Sequence, residues 1–514
     1  MNLRPFQSLI HPLQNSIFRF LTTMSSSSSL LPSALTQPQP VIVVGSGLAG
    51  LSAATQLISH QVPVIMLDRA KKPGGNSIKA SSGINGVPTK FQPEGVNDSQ
   101  ELFFTDTVKS AGSVFASSPS KEHKIRESLI TTLTASSAEA VYWLTDEKGV
   151  DLSKVCRLGG HSQPRTHRGG GQKTPGFAIV STLLDSLKAS SLFQLRSGAR
   201  VTKVLREADE VLGVQYAGGG EESETGNNDA TTLHGPVVFA SGGFAGDAHG
   251  LLAKYRPDLA GIPSTNEAVE GSQPLLEQIG AGVLDMDQVQ IHPTGFVDEK
   301  DPSASVKILA AEALRGEGGI LLLGDGTRFV NELETREHIT NVIMRTARQL
   351  ETDARQWDIS VLLDEGTATA LGSHMGFYLW KELLRKTTVR ELGSLGLKTV
   401  RSYADIVSGK QQDDFGRTAF GNWTLKDVTL DSVVYIGKVT PVTHFTMGGV
   451  LIDEHSQVLD DKGTPIKGLW AAGEVTGGLH GQNRLGGSSL LECVVFGRIA
   501  GNEAAEFYKK HYAS

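Results

Sequence analysis

VIVVGSGLAGLSAATQLISHQVPVIMLD, residues 41–68, reads as one complete β-α-β unit of the kind that holds a nucleotide. The apolar run Val41–Val44 has the composition of a buried parallel strand. Gly45-x-Gly47-x-x-Gly50 then turns the chain into a helix with Leu48, Leu51, Ala54, Leu57 and Ile58 on one face. Gly45 permits the tight turn, Gly47 leaves no Cβ between the backbone and a pyrophosphate, and Gly50 lets helix and strand pack closely. The helix N-terminus offers unpaired N–H groups to phosphate. A second strand, 64–67, ends at Asp68, where a carboxylate can accept a hydrogen bond from the adenosine ribose. The fingerprint itself serves FAD and NAD alike.

The 514 residues suffice for two or three domains and a large core. A net charge of −7 without a basic tract argues against nucleic acid as a partner. Cys156 and Cys493 are the only cysteines, too few for a disulfide scaffold or a cysteine-ligated cluster, which fits a reducing compartment. No metal site is expected. Glycine is abundant at 58 residues, as suits a backbone that approaches a ligand repeatedly. No apolar run is long enough to span a membrane. Residues 1–39 form a leader with Arg4 and Arg19, serine stretches and no acid. This composition reads as a mitochondrial transit peptide, the alternative being a disordered tail. A start at Met24 would drop both arginines and leave the product cytoplasmic.

Beyond Asp68, the segment from Pro73-Gly74-Gly75-Asn76-Ser77 to Ser81-Ser82-Gly83-Ile84-Asn85 reads as a loop against ligand. Helices are expected at 99–111, 124–147 and 177–189, and strands at 201–205, 211–216 and 236–240. The loop 159–174 sets His161, Arg165, His167 and Arg168 among glycines, either as a solvated connection or as a contact to an anionic ligand. Residues 218–228 read as an acidic, exposed hairpin extension. From 288 to 440 charged helical stretches, at 337–352 and 397–409, surround short strands, and glycine is sparser. The glycine-rich style returns at 441 and opens a helix near Ser488. The simplest architecture is a cofactor domain in two parts, 40–287 and 441–514, enclosing a capping domain, 288–440.

The motifs GSGLAG, PGGNS, ASGGF, IHPTGF, EALRGEGG, TRFVNELETRE, HFTMGGV and AAGEVTGGLHGQNRLGG, in order from about residue 40 to 508, resemble those of the soluble, fungal-type fumarate reductases. These belong to the succinate dehydrogenase/fumarate reductase flavoprotein family. The resemblance implies an α/β fold, a discontinuous Rossmann-like FAD-binding domain with an inserted α+β cap, and FAD as the cofactor. It assigns FAD contacts to Gly45, Gly47, Ala49, Gly50, Asp68, Asn76, Ser77, Gly83, Val201, Glu474, Ser489 and Leu490. It assigns the substrate dicarboxylate to His292, His444, Arg484, Gly487 and Ser82. Arg336 is implied as the proton donor, with Glu312 and Arg315 as its relay, although an acid and an arginine three apart would also suit a surface ion pair on a helix. In such enzymes reduced FAD passes hydride to one alkene carbon while the acid protonates the other. A doubly charged C4 acid needs several donors converging from different segments, and Arg484 offers a bidentate fork to one carboxylate.

Three departures from the family pattern matter. Asn76 stands where membrane-complex relatives carry the histidine that links FAD covalently, so FAD should be held noncovalently. Ala311 replaces a threonine that supplies a substrate hydroxyl in some relatives. The run 265–272 is short and lacks an aspartate, for which Glu270 is a candidate substitute. With no CxxCH for haem and no cysteine set for iron–sulfur, the implied electron donor is an external reduced flavin. Sister activities on the same scaffold are the alternative, such as an L-aspartate oxidase or a reductase of another unsaturated carboxylate. A flavin-binding protein without turnover is the alternative of another class, and the intact set of polar site residues argues against it.

Overall fold

Strand Val41–Val44 sits inside a nine-stranded sheet in a computed structural model that describes residues 39–171, 173–218 and 230–512. The sheet order is Phe193–Ser197, Val64–Asp68, Val41–Val44, Val237–Phe239, Pro465–Ala471, Glu210–Ala217, Arg200–Glu207. The strands from Phe193–Ser197 to Pro465–Ala471 are parallel. The central ones are continuous apolar runs because both faces are covered. Helices Leu48–Ser59 and Ser488–His511 pack together on one face. Gly497 and Gly501 allow their close approach, since a Cβ on either would come within 2.5 Å of the carbonyl oxygen of Ala49 or Ala53. The last helix is thereby fixed against the first.

A second sheet, of five strands, orders Val289–Phe296, Val433–Thr446, Ile359–Leu363 and Ile320–Leu323, with Arg385–Thr388 also against Val433–Thr446. All its pairings are antiparallel. Alternation along the strands divides two cores: Leu321, Val361 and Leu363 pack with Phe296 and Ile339, while Ile320, Leu322 and Leu362 pack with Val400, Tyr403 and Trp423. Strand Val433–Thr446 continues through Thr440 to Thr446, and that extension carries His444.

Several elements differ from expectation for local reasons. The helix expected at 124–147 is broken into Ser120–Ala135, Ser137–Tyr142 and the π turn Trp143–Glu147. Ser136 leaves helical geometry at the break, where the Ser137 hydroxyl donates to the Thr134 carbonyl at 2.8 Å. The helix at 99–111 runs as Gln100–Ala116 with a kink at Gly112, where the Gln482 side chain accepts from the Ser113 N–H at 2.9 Å. The helix at 337–352 is Arg336–Thr346, capped by the Thr335 hydroxyl, and the chain beyond it turns into a bridge between Gln349 and Trp357. Strands Phe193–Ser197 and Ile84–Asn85 were not anticipated. Residues 219–228 of the acidic insertion, residue 229 and residues 1–38 of the leader, Met24 included, lie outside the described residues. No helix among the described residues is long and apolar enough to cross a membrane.

The basic loop 159–174 needs the largest correction, for it is neither solvated nor open to a ligand at Arg165. That side chain is 0% exposed and donates to Asp98 at 2.7 and 2.9 Å and to Asp106 at 2.5 Å. Its guanidinium also lies 5.0 Å from the Phe103 ring centroid. His161 and His167 are buried, and burial pushes both imidazoles down to about 4. Arg165→Ala would strand two buried carboxylates, so denaturant melts should show a loss on the order of 3–5 kcal/mol. Unchanged stability with weakened anion binding would restore the ligand reading.

Candidate functional site

The glycine turn divides into tight and open positions. Gly45 has φ +105°, and a Cβ there would lie 2.3 Å from the Ala240 carbonyl oxygen; a Cβ on Gly50 would lie 2.0 Å from the Gly45 oxygen. Gly47 and Gly242, by contrast, face space, the nearest atom to a Cβ on Gly47 being Ser77 Oγ at 3.6 Å. Two glycines thus close the turn while two leave a cradle, which fits a pyrophosphate lying against bare backbone.

Asp68 is largely engaged within the protein. Its Oδ2 accepts from the Ser46 N–H at 2.8 Å and from the Ser46 hydroxyl, and its Oδ1 accepts from the Ala70 N–H at 2.7 Å. Ser46 Oγ in turn accepts from the Gly74 N–H at 3.0 Å. The carboxylate therefore fastens the glycine turn to the loop after the second strand, and Oδ1 keeps capacity for one more donor. Ser77 Oγ accepts from the Leu48 N–H at 3.1 Å, at the start of the first helix. Asn76 beside it is exposed. Gly83 is buried and Ser82 half-buried in the following loop. The Ala199 N–H donates to the Asp68 carbonyl at 2.8 Å, which brings Val201 near the end of that strand.

On the other side, a Cβ on Gly473 would sit 2.9 Å from Ala49 Cβ and 3.2 Å from Cys493 Sγ. Glu474 directly follows that contact, and Ser489 and Leu490 lie about one turn before Cys493 on the last helix. Burial pushes the Glu474 carboxyl up to about 7, and its Oε1 accepts from the Thr446 N–H at 2.9 Å. Gly487, at φ +81°, turns the chain into the last helix. Glu270 does not join this group. Its side chain is 73% exposed and pairs with Arg200 at 2.5 Å on the surface, so the candidate substitution for the missing aspartate is corrected.

The polar residues form a largely buried polar chamber in which Arg336 meets Glu312 and Gln290, and His292 meets His444. Arg336, at the first position of helix Arg336–Thr346, donates from Nε at 2.7 Å and Nη2 at 2.5 Å to Glu312 Oε2. Glu312 Oε1 accepts from the Gly159 N–H at 2.8 Å. Burial pushes the Glu312 carboxyl up, but the charges of Arg336 and Arg315 overcome this and hold it at about 2. Glu312 and Arg315 are 2% and 1% exposed, so the surface-pair reading of their spacing is excluded. They do not bond to each other directly. Arg315 Nη1 donates to the Glu332 carbonyl at 2.8 Å, while its Nε and Nη2 have no protein partner. Burial lowers its guanidinium to about 10.

Arg484 donates from Nη1 to the Leu485 carbonyl at 3.0 Å, and its buried Nε lacks a partner. Burial and the Arg336 charge bring it down to about 9. His292 and His444 stand edge to face, with centroids 5.3 Å apart. Burial, then the Arg336 charge, holds both imidazoles well below their usual value, so at neutral pH they are uncharged donors or acceptors. His444 Nδ1 lies 2.9 Å from the Thr265 hydroxyl, and His292 Nδ1 lies 2.9 Å from the Thr294 carbonyl with Nε2 unpartnered. Three guanidinium groups thus converge while Glu312 is the one carboxylate among the described residues that hydrogen-bonds any of them. Unused buried donors and surplus positive charge suit a small dianion.

Some members of the chamber were missed in the sequence. Gln290 Oε1 accepts from Arg336 Nη1 at 2.9 Å, and its amide donates to Asn483 at 3.0 Å and to the Arg484 carbonyl at 2.9 Å. Its place two residues before His292 in a strand, where side chains alternate, is the signal that could have found it. Tyr378 holds the Ala311 N–H at 3.2 Å and donates to the Leu309 carbonyl at 3.1 Å, so it fixes the backbone just before Glu312.

Comparison with known proteins shows the family. A family model described as "FAD binding domain" matches residues 40–490. Fumarate reductase 1 of Saccharomyces cerevisiae is 42% identical over 487 residues, covering 91% of this chain and 98% of that protein. The fumarate reductase of Schizosaccharomyces pombe is 40% identical over 483 residues, covering 90% and 89%. The open conformation of a flavocytochrome c3 fumarate reductase superposes with a TM-score of 0.70 at 32% identity, covering 92% of this chain and 79% of that one.

The lowered histidine values set a measurable pH dependence. Each ring loses its proton below its ordinary range, so the NMR signals of His292 and His444 should stay flat between about pH 5.5 and 8. A midpoint near the ordinary histidine value for either ring would mean that the chamber admits water freely.

Proposed function

Since this chain belongs to the FAD binding domain family of flavoproteins, we propose that it reduces fumarate to succinate with a noncovalently held FAD. The observation that carries the reading is the trio Arg315, Arg336 and Arg484, buried around two uncharged histidines with nitrogens of Arg315 and Arg484 left unpartnered. The 42% and 40% identity to fumarate reductases supports it. In this reading 40–287 and 441–514 form the FAD-binding domain and 288–440 the cap, with strand Val433–Thr446 crossing the boundary. The FAD contacts are those named from the motifs, without Glu270.

Arg484 takes one substrate carboxylate, and His292 and His444, with Ser82 and the Gly487 backbone, take the other. FAD, when bound, supplies hydride to one alkene carbon. Arg336 gives the proton to the other carbon. A free arginine, with a reference pKa above roughly 12, is a poor acid, so the step needs prompt replacement of its proton. Glu312, a carboxylate bonded twice to Arg336, returns to it a proton that it first takes from Arg315, and Arg315 takes its own from solvent. Gln290 and Glu312 grip three of the Arg336 nitrogens, which limits the guanidinium to one orientation while it exchanges protons. An external reduced flavin supplies the electrons, as the two cysteines offer no attachment for haem or an iron–sulfur cluster.

Acid precipitation should leave the flavin in the supernatant, because the exposed amide of Asn76 cannot form the covalent link. Flavin absorbance in the washed pellet would contradict this. Stopped-flow reoxidation of reduced enzyme tests the chemistry. Arg336→Ala should abolish reoxidation by fumarate while fumarate still binds the oxidised enzyme, and Arg336→Lys should be slower by at least about 100-fold. Near-normal reoxidation of Arg336→Ala would move the proton donor elsewhere. Faster turnover of another unsaturated acid, or of L-aspartate, would replace fumarate as the substrate.

A further inference from the structure

Arg484 has no hydrogen-bonded carboxylate to hold it in place, yet a substrate-binding guanidinium must be aimed. Besides the one bond to Leu485, its fixed neighbour is the ring of Phe445, whose centroid lies 4.3 Å from the guanidinium carbon. A guanidinium over an aromatic face is held by the ring quadrupole, so the tilt of the ring decides where the cation rests. His480 meets that ring edge-on, with centroids 5.7 Å apart and an interplanar angle of 72°. His480 Nε2 in turn lies 2.6 Å from Glu492 Oε2, and both side chains are 3% exposed. Glu492 is on the second turn of helix Ser488–His511, which is locked against the first helix, so the series ends on a rigid support.

We propose that His480 and Glu492 are positioning residues that fix the Phe445 ring and, through it, the orientation in which Arg484 receives a substrate carboxylate. The inference rests on the proposed reduction of fumarate. Other tethers in the 478–487 loop act on different atoms: Asn483 bonds Ser110 and Gln482 bonds Ser113, which fixes the backbone and leaves the ring free to tilt. The dyad is also a costly way merely to fill space. Glu492 Oε1 is buried without a partner, and an apolar pair of similar volume would avoid that loss. An arginine aimed in advance gives up less freedom when the carboxylate arrives, so the effect of the dyad should fall on binding.

Steady-state kinetics of FAD-loaded enzyme test this, with wild type assayed first on fumarate and an excess of reduced flavin. His480→Ala and Glu492→Ala should each raise the fumarate KM by about tenfold or more, with kcat within about threefold of wild type, because the lost interaction is common to ground and transition states. Fumarate titration of the oxidised flavin spectrum should show the same weakening at full FAD content. Glu492→Gln, which still accepts from the imidazole at that position, should restore a near-normal KM. An unchanged KM in both alanine variants overturns the inference, as does a Glu492→Gln enzyme as impaired as Glu492→Ala. If the alanine variants do not fold, Phe445→Leu must show the raised KM, and a normal KM there overturns it equally. A wild type inactive on fumarate would defeat the proposed function itself, whereas an active wild type with unaltered variants defeats the positioning role alone.

Discussion

The carboxylate of Glu312 is where the molecule is tied together. It is buried at 2% exposure, accepts two bonds from Arg336 and one from the Gly159 backbone, and lies between the loops of Gly159 and Gly486, on each of which a Cβ would come within 3.0 Å of it. A lone buried anion would take up a proton, and a lone buried guanidinium would forfeit its hydration. Each makes the other tolerable, and the pair fixes the distance between the helix of Arg336 and the loops of Gly159 and Gly486. The same pairing is what a proton relay requires, a charged donor and acceptor in contact with water shut out.

Buried charge recurs around this centre, and its pattern separates support from chemistry. Glu332 accepts from Arg328 and Arg417, and Arg328 also reaches Asp413, so that network is matched within the protein. Arg165 is matched by Asp98 and Asp106, and Arg126 by Asp285. Arg168 and Arg498 each leave one buried nitrogen unpartnered but are paired with Glu317 and Glu139, whereas Arg315 and Arg484 have unpartnered nitrogens and no hydrogen-bonded carboxylate. A buried cation that no carboxylate hydrogen-bonds has room in its charge balance for an anionic ligand.

The nucleotide-binding half was readable because its determinants are local: three glycines at fixed spacing, two apolar strands and a terminal acid lie within 28 residues. The polar site was readable through long motifs that carry His292, Glu312, Arg315, Arg336, His444 and Arg484 on separate segments. Gln290 escaped, since an amide acquires meaning only when a partner 46 residues away arrives beside it. Arg165 was misread because its acids lie 67 and 59 residues upstream, and among glycines a basic residue looks like part of an exposed loop. The break at Ser136 turns on whether neighbouring side chains bond the local backbone, which helix periodicity does not reveal. Asp68 was read for its ligand alone, although most of its hydrogen bonds build the turn.

The glycine-mediated contact between the first helix and the last has a consequence for how the protein is made. Ala49 and Ala53 are made long before Gly497 and Gly501, so the two surfaces cannot meet until the whole stretch between them has been synthesised. Strand Pro465–Ala471, which completes the parallel sheet beside Val237–Phe239, arrives equally late. Until then the nascent chain carries an uncovered helix face and an unpaired strand edge, the surfaces most prone to wrong association. Closure of so long a loop is slow. The cofactor cradle, which draws on segments from before and after that stretch, therefore comes into being only when the late segment has joined the early one.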